Sequence, residues 1–121
     1  MGFTKLPTLD ELLWLFEVEP ERLDPEVALP YNTLIYRTAR GGEDVTISIS
    51  PSSRDLEFLW ERDGRQLIHL TLTAVEELRA VKEGERESLR VRFDAPRLLP
   101  LSIQLKPSVS VHWGMDQTIE S

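Results

Sequence analysis

The sequence contains no cysteine among its 121 residues. Disulfide bridges, thiolate metal ligands and a cysteine nucleophile are therefore excluded. It also has no apolar run approaching the roughly 18 to 20 residues of a membrane-spanning helix, and no basic segment followed by an apolar one opens it. We therefore expect a cytoplasmic protein with no membrane partner.

The sequence is also poor in the motifs and residues that enzymes use. GxGxxG, GxxxxGK[ST] and GxSxG are all absent, so the phosphate-loop, dinucleotide-binding and α/β-hydrolase classes lack their defining residues. The only two histidines, His69 and His112, do not form an HxH or HxxxH pair, and zinc needs three or four ligands. We expect no metal and no cofactor, and a non-enzymatic role is favoured.

Positive charge is scarce: 14 basic residues stand against 21 acidic ones, which gives a net charge of −7. This balance argues against binding to a nucleic-acid backbone. The excess is concentrated in residues 1–30, which hold seven acidic and two basic residues. An acidic region of this kind steers a basic protein partner, or it only keeps a small domain soluble; composition leaves both readings open.

A helix is predicted at about residues 8–17. Thr8 and Glu11 have the spacing of a capping box, and apolar residues then recur at Leu9, Leu12, Leu13 and Phe16. Trp14 and Leu15 widen this apolar side. We expect the helix to dock on a sheet, with a partly exposed Trp14 on a partner surface as the alternative. Three prolines predict an irregular traverse over residues 18–32.

Residues 33–113 alternate apolar and polar side chains, which predicts antiparallel strands. The clearest hairpin spans Asp55–Thr73, where Asp63 and Gly64 separate two apolar runs. A three-residue loop with Gly64 in a bulge collects the large apolar side chains on one face and places Glu57 opposite His69 on the other. The residues predicted to face the core together are Leu56, Phe58, Trp60, Ile68, Leu70 and Leu72.

The segment Thr73–Glu85 fits either a helix or an extended, bulged strand, and we favour the strand because a helix would follow the preceding strand without a loop. Residues 114–121 are expected to form a loose tail. Further inward positions are predicted on the remaining strands: Val45, Ile47, Ile49, Leu89, Val91, Phe93, Leu101, Ile103, Leu105, Val109, Val111 and Trp113.

These elements predict a single α+β domain over residues 1–121. We expect an N-terminal amphipathic helix packed on a twisted, mainly antiparallel sheet of six to eight strands. The sheet is expected to curl into a half-barrel or to split into a sandwich.

The first functional hypothesis is a small acidic protein-binding module, an inhibitor or immunity-type protein that neutralises a basic partner. Its predicted partner-binding residues are Asp10, Glu11, Trp14, Glu17, Glu19 and Glu21. The alternative is a ligand-binding or catalytic domain on a concave polar sheet face, with Glu57 and His69 as an acid–base pair. Its predicted ligand-binding residues are Arg90, Arg92 and His112. A homodimer formed through an exposed sheet face or edge is a third possibility.

Overall fold

The computed structural model describes residues 5–28, 31–95 and 97–113. These residues form one helix and nine strands: α1 (Leu9–Phe16), β1 (Glu21–Arg22), β2 (Leu34–Arg40), β3 (Glu43–Ser50), β4 (Asp55–Arg62), β5 (Arg65–Leu72), β6 (Val75–Glu83), β7 (Arg86–Phe93), β8 (Leu101–Lys106) and β9 (Ser110–Trp113). Within this part of the chain, no helix has the length and apolarity needed to cross a membrane.

The capping box at the start of α1 is confirmed. The Glu11 backbone N–H donates to Thr8 Oγ1 at 3.0 Å, and the Thr8 N–H donates to Glu11 Oε1 at 2.9 Å. The two bonds satisfy backbone donors that the first helical turn leaves without partners. The helix ends at Glu17, whose left-handed backbone (φ 63°) turns the chain away.

The predicted apolar face of α1 was partly wrong. Leu9 and Leu13 are 48% and 40% exposed, whereas the buried residues of the helix are Leu12, Leu15 and Phe16. The reason is that α1 packs against β2, β6 and β7 and so contacts both sheets. Its buried side is rotated toward Leu15, and two large leucines are left at the surface.

The strands form two antiparallel sheets, in the orders β1-β2-β3-β4-β5 and β6-β7-β8-β9. The predicted α+β class with antiparallel pairing is confirmed, and of the two expected forms of the sheet the split into two is the one observed. The predicted number of six to eight strands was too low, because the described residues form nine. The chain leaves the first sheet at Thr73 and Ala74, where Ala74 has a left-handed backbone (φ 56°) that redirects β6. The predicted traverse over residues 18–32 also contains a strand, β1, which pairs with β2.

The hairpin of β4 and β5 confirms the predicted grouping of side chains and corrects the loop. Its loop has two residues, Asp63 and Gly64, and both have positive φ as in a type I′ turn. The register shift lies instead at Leu67, between the pairs of Trp60 with Ile68 and Glu61 with Gln66. The bulge inside β5 therefore places the large apolar side chains of both strands on one face, which is the effect expected from the longer loop.

One apolar core lies between the helix and the inner sides of both sheets. In it, the rings of Phe16 and Tyr36 stack with their centroids 4.6 Å apart. The buried apolar side chains are Leu12, Leu15, Phe16, Leu34, Tyr36, Val45, Ile47, Ile49, Leu56, Phe58, Leu72, Val75, Leu78, Leu89, Val91, Phe93, Leu101, Ile103 and Leu105. Since this set includes members of α1 and of both sheets, the two sheets stabilise each other.

Two tryptophans lie nearer the surface than predicted. Trp60 is half-buried, and its indole N–H donates to Glu43 Oε1 at 2.5 Å. Trp113 is 41% exposed on the edge strand β9, where it stacks on Phe93 at 5.9 Å.

The ambiguous segment after Thr73 is a strand with a register shift near its start, as favoured from the sequence. The predicted tail at 114–121 lies outside the described residues.

Candidate partner-binding surface

The predicted acidic residue Glu17 lies in an ion-pair cluster that joins the helix to the four-stranded sheet. Lys106 Nζ lies 2.7 Å from Glu17 Oε2 and 2.8 Å from Glu87 Oε1, and it donates to the Trp14 carbonyl oxygen at 2.7 Å. Arg40 adds a second contact to Glu17 at 2.7 Å. Because Lys106 and Glu87 are largely buried, this cluster is mainly a structural link.

The cluster shifts the pKa values of two of its members in opposite directions. The hydrogen bond from Lys106 lowers the pKa of Glu17 below its ordinary value, with smaller contributions from the charges of Lys106 and Arg40. Burial opposes the charge on Lys106, but the hydrogen bonds and charges of Glu17 and Glu87 outweigh it and raise the Lys106 pKa. Both shifts favour the charged forms, so Glu17 and Lys106 form an ion pair at neutral pH.

Two more of the predicted acidic residues are also used within the chain. Glu11 forms the helix cap, and Glu21 Oε2 accepts a hydrogen bond from Arg37 Nε at 2.9 Å. Trp14 is half-buried and packs against the core. Asp10 and Glu19 are exposed and have no ion-pair partner among the residues that the structure describes.

Glu19 acts electrostatically on the buried Tyr36. Burial raises the pKa of Tyr36 to about 12, and the negative charge of Glu19 contributes to the shift. The Tyr36 hydroxyl is buried without a hydrogen-bond partner among the described residues. The tyrosine is therefore a neutral core residue with no role in proton transfer at physiological pH.

The N-terminal segment also exposes apolar side chains. Leu9 and Leu13, which were predicted to face the sheet, are 48% and 40% exposed, and Leu6, about which no prediction was made, is 39% exposed. The i, i+4 spacing of Leu9 and Leu13 revealed a shared helix face but not that this face is left uncovered. We use the name N-terminal surface for Leu6, Leu9, Asp10, Leu13 and Glu19.

The outer side of the five-stranded sheet carries mostly acidic charges. On β3 and β4 the residues alternating with buried Val45 and Phe58 point away from the core, and Glu21 lies on the same side beside Ile35. The name acidic face is used for the five outward carboxylates together: Glu21, Asp44, Asp55, Glu57 and Glu61. Arg37 and His69 are the basic side chains among them, and each contacts one of these carboxylates.

Asp44 and Glu61 are direct cross-strand partners on this face. Neither has an ion-pair partner in the described part of the chain. Like charges placed directly opposite each other destabilise a sheet. Sequence reasoning missed this pair because it depends on the β3–β4 register, which the turn at Pro51–Arg54 sets.

The predicted Glu57–His69 pair exists, although its partners are not directly opposite. Glu57 faces Thr71 and Leu59 faces His69, yet His69 Nε2 lies 2.6 Å from Glu57 Oε2 across the diagonal. Both side chains are about half exposed. The geometry is that of a surface contact on an open sheet face.

The other predicted ligand-binding residues lie on the outer side of the other sheet. Arg90 lies opposite Arg79 on β6 and opposite Ser102 on β8, and Ser102 in turn pairs with His112 on β9. The name basic face is used for Arg79, Arg90, Arg92 and His112. Glu77 contacts Arg79 at 3.0 Å and Arg92 at 3.4 Å. Glu57 and His69 therefore do not share a surface with this set.

The described residues show no other constellation suited to catalysis. No group of three or more His, Cys, Asp or Glu side chains in the described ranges is arranged to hold a metal ion. A cleft of about 210 Å³ lies between the β2–β3 turn and the β8–β9 turn, with Leu15, Val45, Leu105 and Val109 among its lining residues. Its lining contains neither histidine, so it is separate from the predicted acid–base pair.

Comparison with known proteins identifies the fold. Neither the family models nor the curated proteins gave a match to this chain. Among solved structures, the chain is similar to one from the contact-dependent growth inhibition toxin–immunity protein complex of Klebsiella pneumoniae 342. The two share 16% sequence identity with a TM-score of 0.76, over 94% of this chain and 98% of the other. The chain therefore has the fold of a component of a toxin–immunity protein complex.

Proposed function

We propose that the chain is an immunity-type protein that binds a protein toxin and neutralises it. The observation that carries the proposal is the fold similarity, which covers nearly the full length of both chains. The toxin is expected to be basic where it binds, because this chain has a net charge of −7. The proposal keeps the cytoplasmic location expected from the sequence.

The immunity role suits this chain better than the toxin role. A toxin that acts as an enzyme needs convergent chemical groups. Among the described residues, the one contact between a histidine and a carboxylate is the exposed pair of Glu57 and His69, while His112 lies on the other sheet. Binding needs only an accessible surface of suitable shape and charge, and the described residues supply that.

The N-terminal surface is the proposed primary contact. Leu9 and Leu13 give it an exposed apolar centre, while Asp10 and Glu19 supply charges that no described basic residue neutralises. Interfaces combine apolar anchors with a polar rim in this way. Glu11, Glu17 and Glu21 are predicted to contribute less than sequence reasoning suggested, because each is already bound within the chain.

Co-expression with a toxin domain isolated from the native host by pull-down with this chain tests the proposal. We expect the wild-type chain to restore growth and to form a stable 1:1 complex with that domain. The toxin of the Klebsiella complex serves as the specificity control. Continued growth arrest together with no complex in a binding measurement would overturn the proposal.

Two double variants test the surface. Leu9→Ala/Leu13→Ala removes the apolar centre while keeping good helix formers, and Asp10→Lys/Glu19→Lys reverses the free charges. Each is expected to weaken toxin binding at least about tenfold, the factor that 1.4 kcal/mol represents. Glu83→Lys/Glu85→Lys, at an exposed turn of the other sheet, makes the same charge change and is expected to bind normally. Equal binding by all three variants would place the contact elsewhere.

A further inference from the structure

The outer side of the five-stranded sheet is an unpartnered surface. Strands β3, β4 and β5 are each eight residues long, which gives about 27 Å at 3.4 Å per residue, and five strands span about 19 Å. The area is therefore roughly 500 Å². A stable interface uses about 800 Å² per partner, so the sheet supplies more than half of this area and further contacts must supply the rest.

The centre of this side is flat and combines hydroxyl side chains with partly exposed apolar ones. Short hydroxyl side chains keep the centre flat, at Thr46, Ser48 and Thr71, and Ile35 and Leu59 are half-exposed among them. Leu23 is 68% exposed and lines a shallow depression that also includes Ile35, Glu57 and Thr71. The carboxylates of the acidic face surround this centre.

The pair of Asp44 and Glu61 indicates what the surface binds. Two carboxylates facing each other across neighbouring strands weaken the free protein, since no described residue neutralises either one. A cationic side chain placed between them would turn this repulsion into attraction. The surface is thus complementary to a basic protein surface.

A second copy of the chain is the weaker candidate for the occupant. The basic face of one molecule would have to contact the acidic face of another, and a contact between different surfaces forms a ring or an open filament and not a simple symmetric dimer. The net charge of −7 also repels two copies. The charge argument therefore favours a different protein.

We propose that the toxin also docks across the outer side of the five-stranded sheet, where its basic side chains contact Asp44 and Glu61. This inference rests on the proposed immunity function and extends the interface beyond the N-terminal surface. The sheet supplies a rigid platform, and its carboxylates increase the rate at which a basic toxin associates.

Charge reversals on this face separate binding from folding. Asp44→Lys replaces a like-charge pair with an ion pair, so we expect the melting temperature to rise slightly while toxin affinity falls. Asp44→Lys/Glu61→Lys restores like charges, so stability is expected to match the wild type while the association rate constant falls about tenfold or more at low salt. A residue needed only for folding would not produce this opposite response.

The experiment measures toxin association by surface plasmon resonance and stability by urea unfolding for each variant. Glu83→Lys/Glu85→Lys is the control with an identical change in net charge. If the Asp44/Glu61 variant binds as tightly as this control, docking on the sheet is refuted, while protection by the wild type would leave the immunity function intact. Light scattering of the chain alone distinguishes self-association: a dimer that the Asp44/Glu61 variant abolishes would assign the face to a second copy and overturn the proposal.

Discussion

The outer sides of the two sheets differ in charge although their inner sides share one core. The acidic face contains Asp44 directly opposite Glu61, and the basic face contains Arg79 directly opposite Arg90. The inner sides show no such contrast, because both contribute buried aliphatic and aromatic residues to the same cluster. Folding thus constrains one side of each sheet and leaves the other free to acquire a charge of either sign.

Each like-charge pair has a small cost in the free protein, on the order of 0.2–1 kcal/mol. The basic face partly offsets its cost, because Glu77 contacts both Arg79 and Arg92. No described cation forms an ion pair with Asp44 or Glu61 that would offset their repulsion. This difference is why a partner is assigned to the acidic face and not to the basic one.

The strongest test of the shared core is truncation on each inner side. Phe58→Ala in the five-stranded sheet is expected to lower the free energy of unfolding by about 3–5 kcal/mol, and Leu101→Ala in the other sheet by about 2–5 kcal/mol. Both residues are fully buried, so each variant leaves a cavity. Urea unfolding followed by two probes should show one transition in each case, whereas separate transitions would mean that the sheets unfold independently.

Breaking the Lys106 cluster is expected to have the next largest effect. Lys106→Met removes the cation that lies 2.8 Å from the buried Glu87 carboxylate and donates to the Trp14 carbonyl oxygen. The loss should cost roughly 3 kcal/mol, because the remaining cation, Lys82, lies farther from Glu87 at 3.7 Å. Arg40→Met removes only an exposed contact to Glu17 and should cost less than about 1 kcal/mol. Equal losses in the two variants would contradict a structural role specific to Lys106.

The same cluster predicts a pH dependence. The pKa of Glu17 is lowered from 4.5, so its contribution is present above that pH and is lost as pH falls through the lowered value. The pKa of Lys106 is raised from 10.5, so its contribution is present below that pH and is lost as pH rises through the raised value. The melting-temperature difference between wild type and Lys106→Met should therefore be largest between about pH 5 and pH 10.

The smallest expected effect tests the basic face. Arg90→Glu places a carboxylate opposite Arg79 and should raise the free energy of unfolding by about 0.2–1 kcal/mol. Toxin affinity measured at 0.15 M salt should not change, since charges on the far side lie well beyond the screening length of about 8 Å. A clear loss of affinity would show that the toxin contacts the basic face, and would contradict the assignment of the partner to the acidic face.

Local signals in the sequence were enough to predict most elements. The capping box at Thr8 and the alternation around Ile47 each involve residues close in the chain, so they predicted α1 and β3 correctly. Local signals left a half-barrel and a split into two sheets as alternatives. The choice between them depends on the left-handed backbone of Ala74, a residue with no special preference for that conformation.

The candidate site was less predictable because it depends on long-range geometry. From the sequence, Glu17 was predicted to be a free surface charge. Its ion-pair partner Lys106 lies 89 positions away in the chain and comes close only in the folded structure. Leu13 reads as core because the helix pattern shows which residues share a face but not which neighbour covers it. The pairing of Asp44 with Glu61 similarly required the register of β3 and β4.

The order of strands along the chain has an evolutionary consequence. Each sheet is formed by one uninterrupted segment of the chain, and the division lies at Thr73 and Ala74. The residues of each outer surface are therefore encoded together in one part of the gene. Recombination at that division would exchange the sheet that carries the acidic face while keeping the other, provided that the inward residues remain compatible in size. Under the proposed immunity function, such an exchange would change which toxin the chain binds.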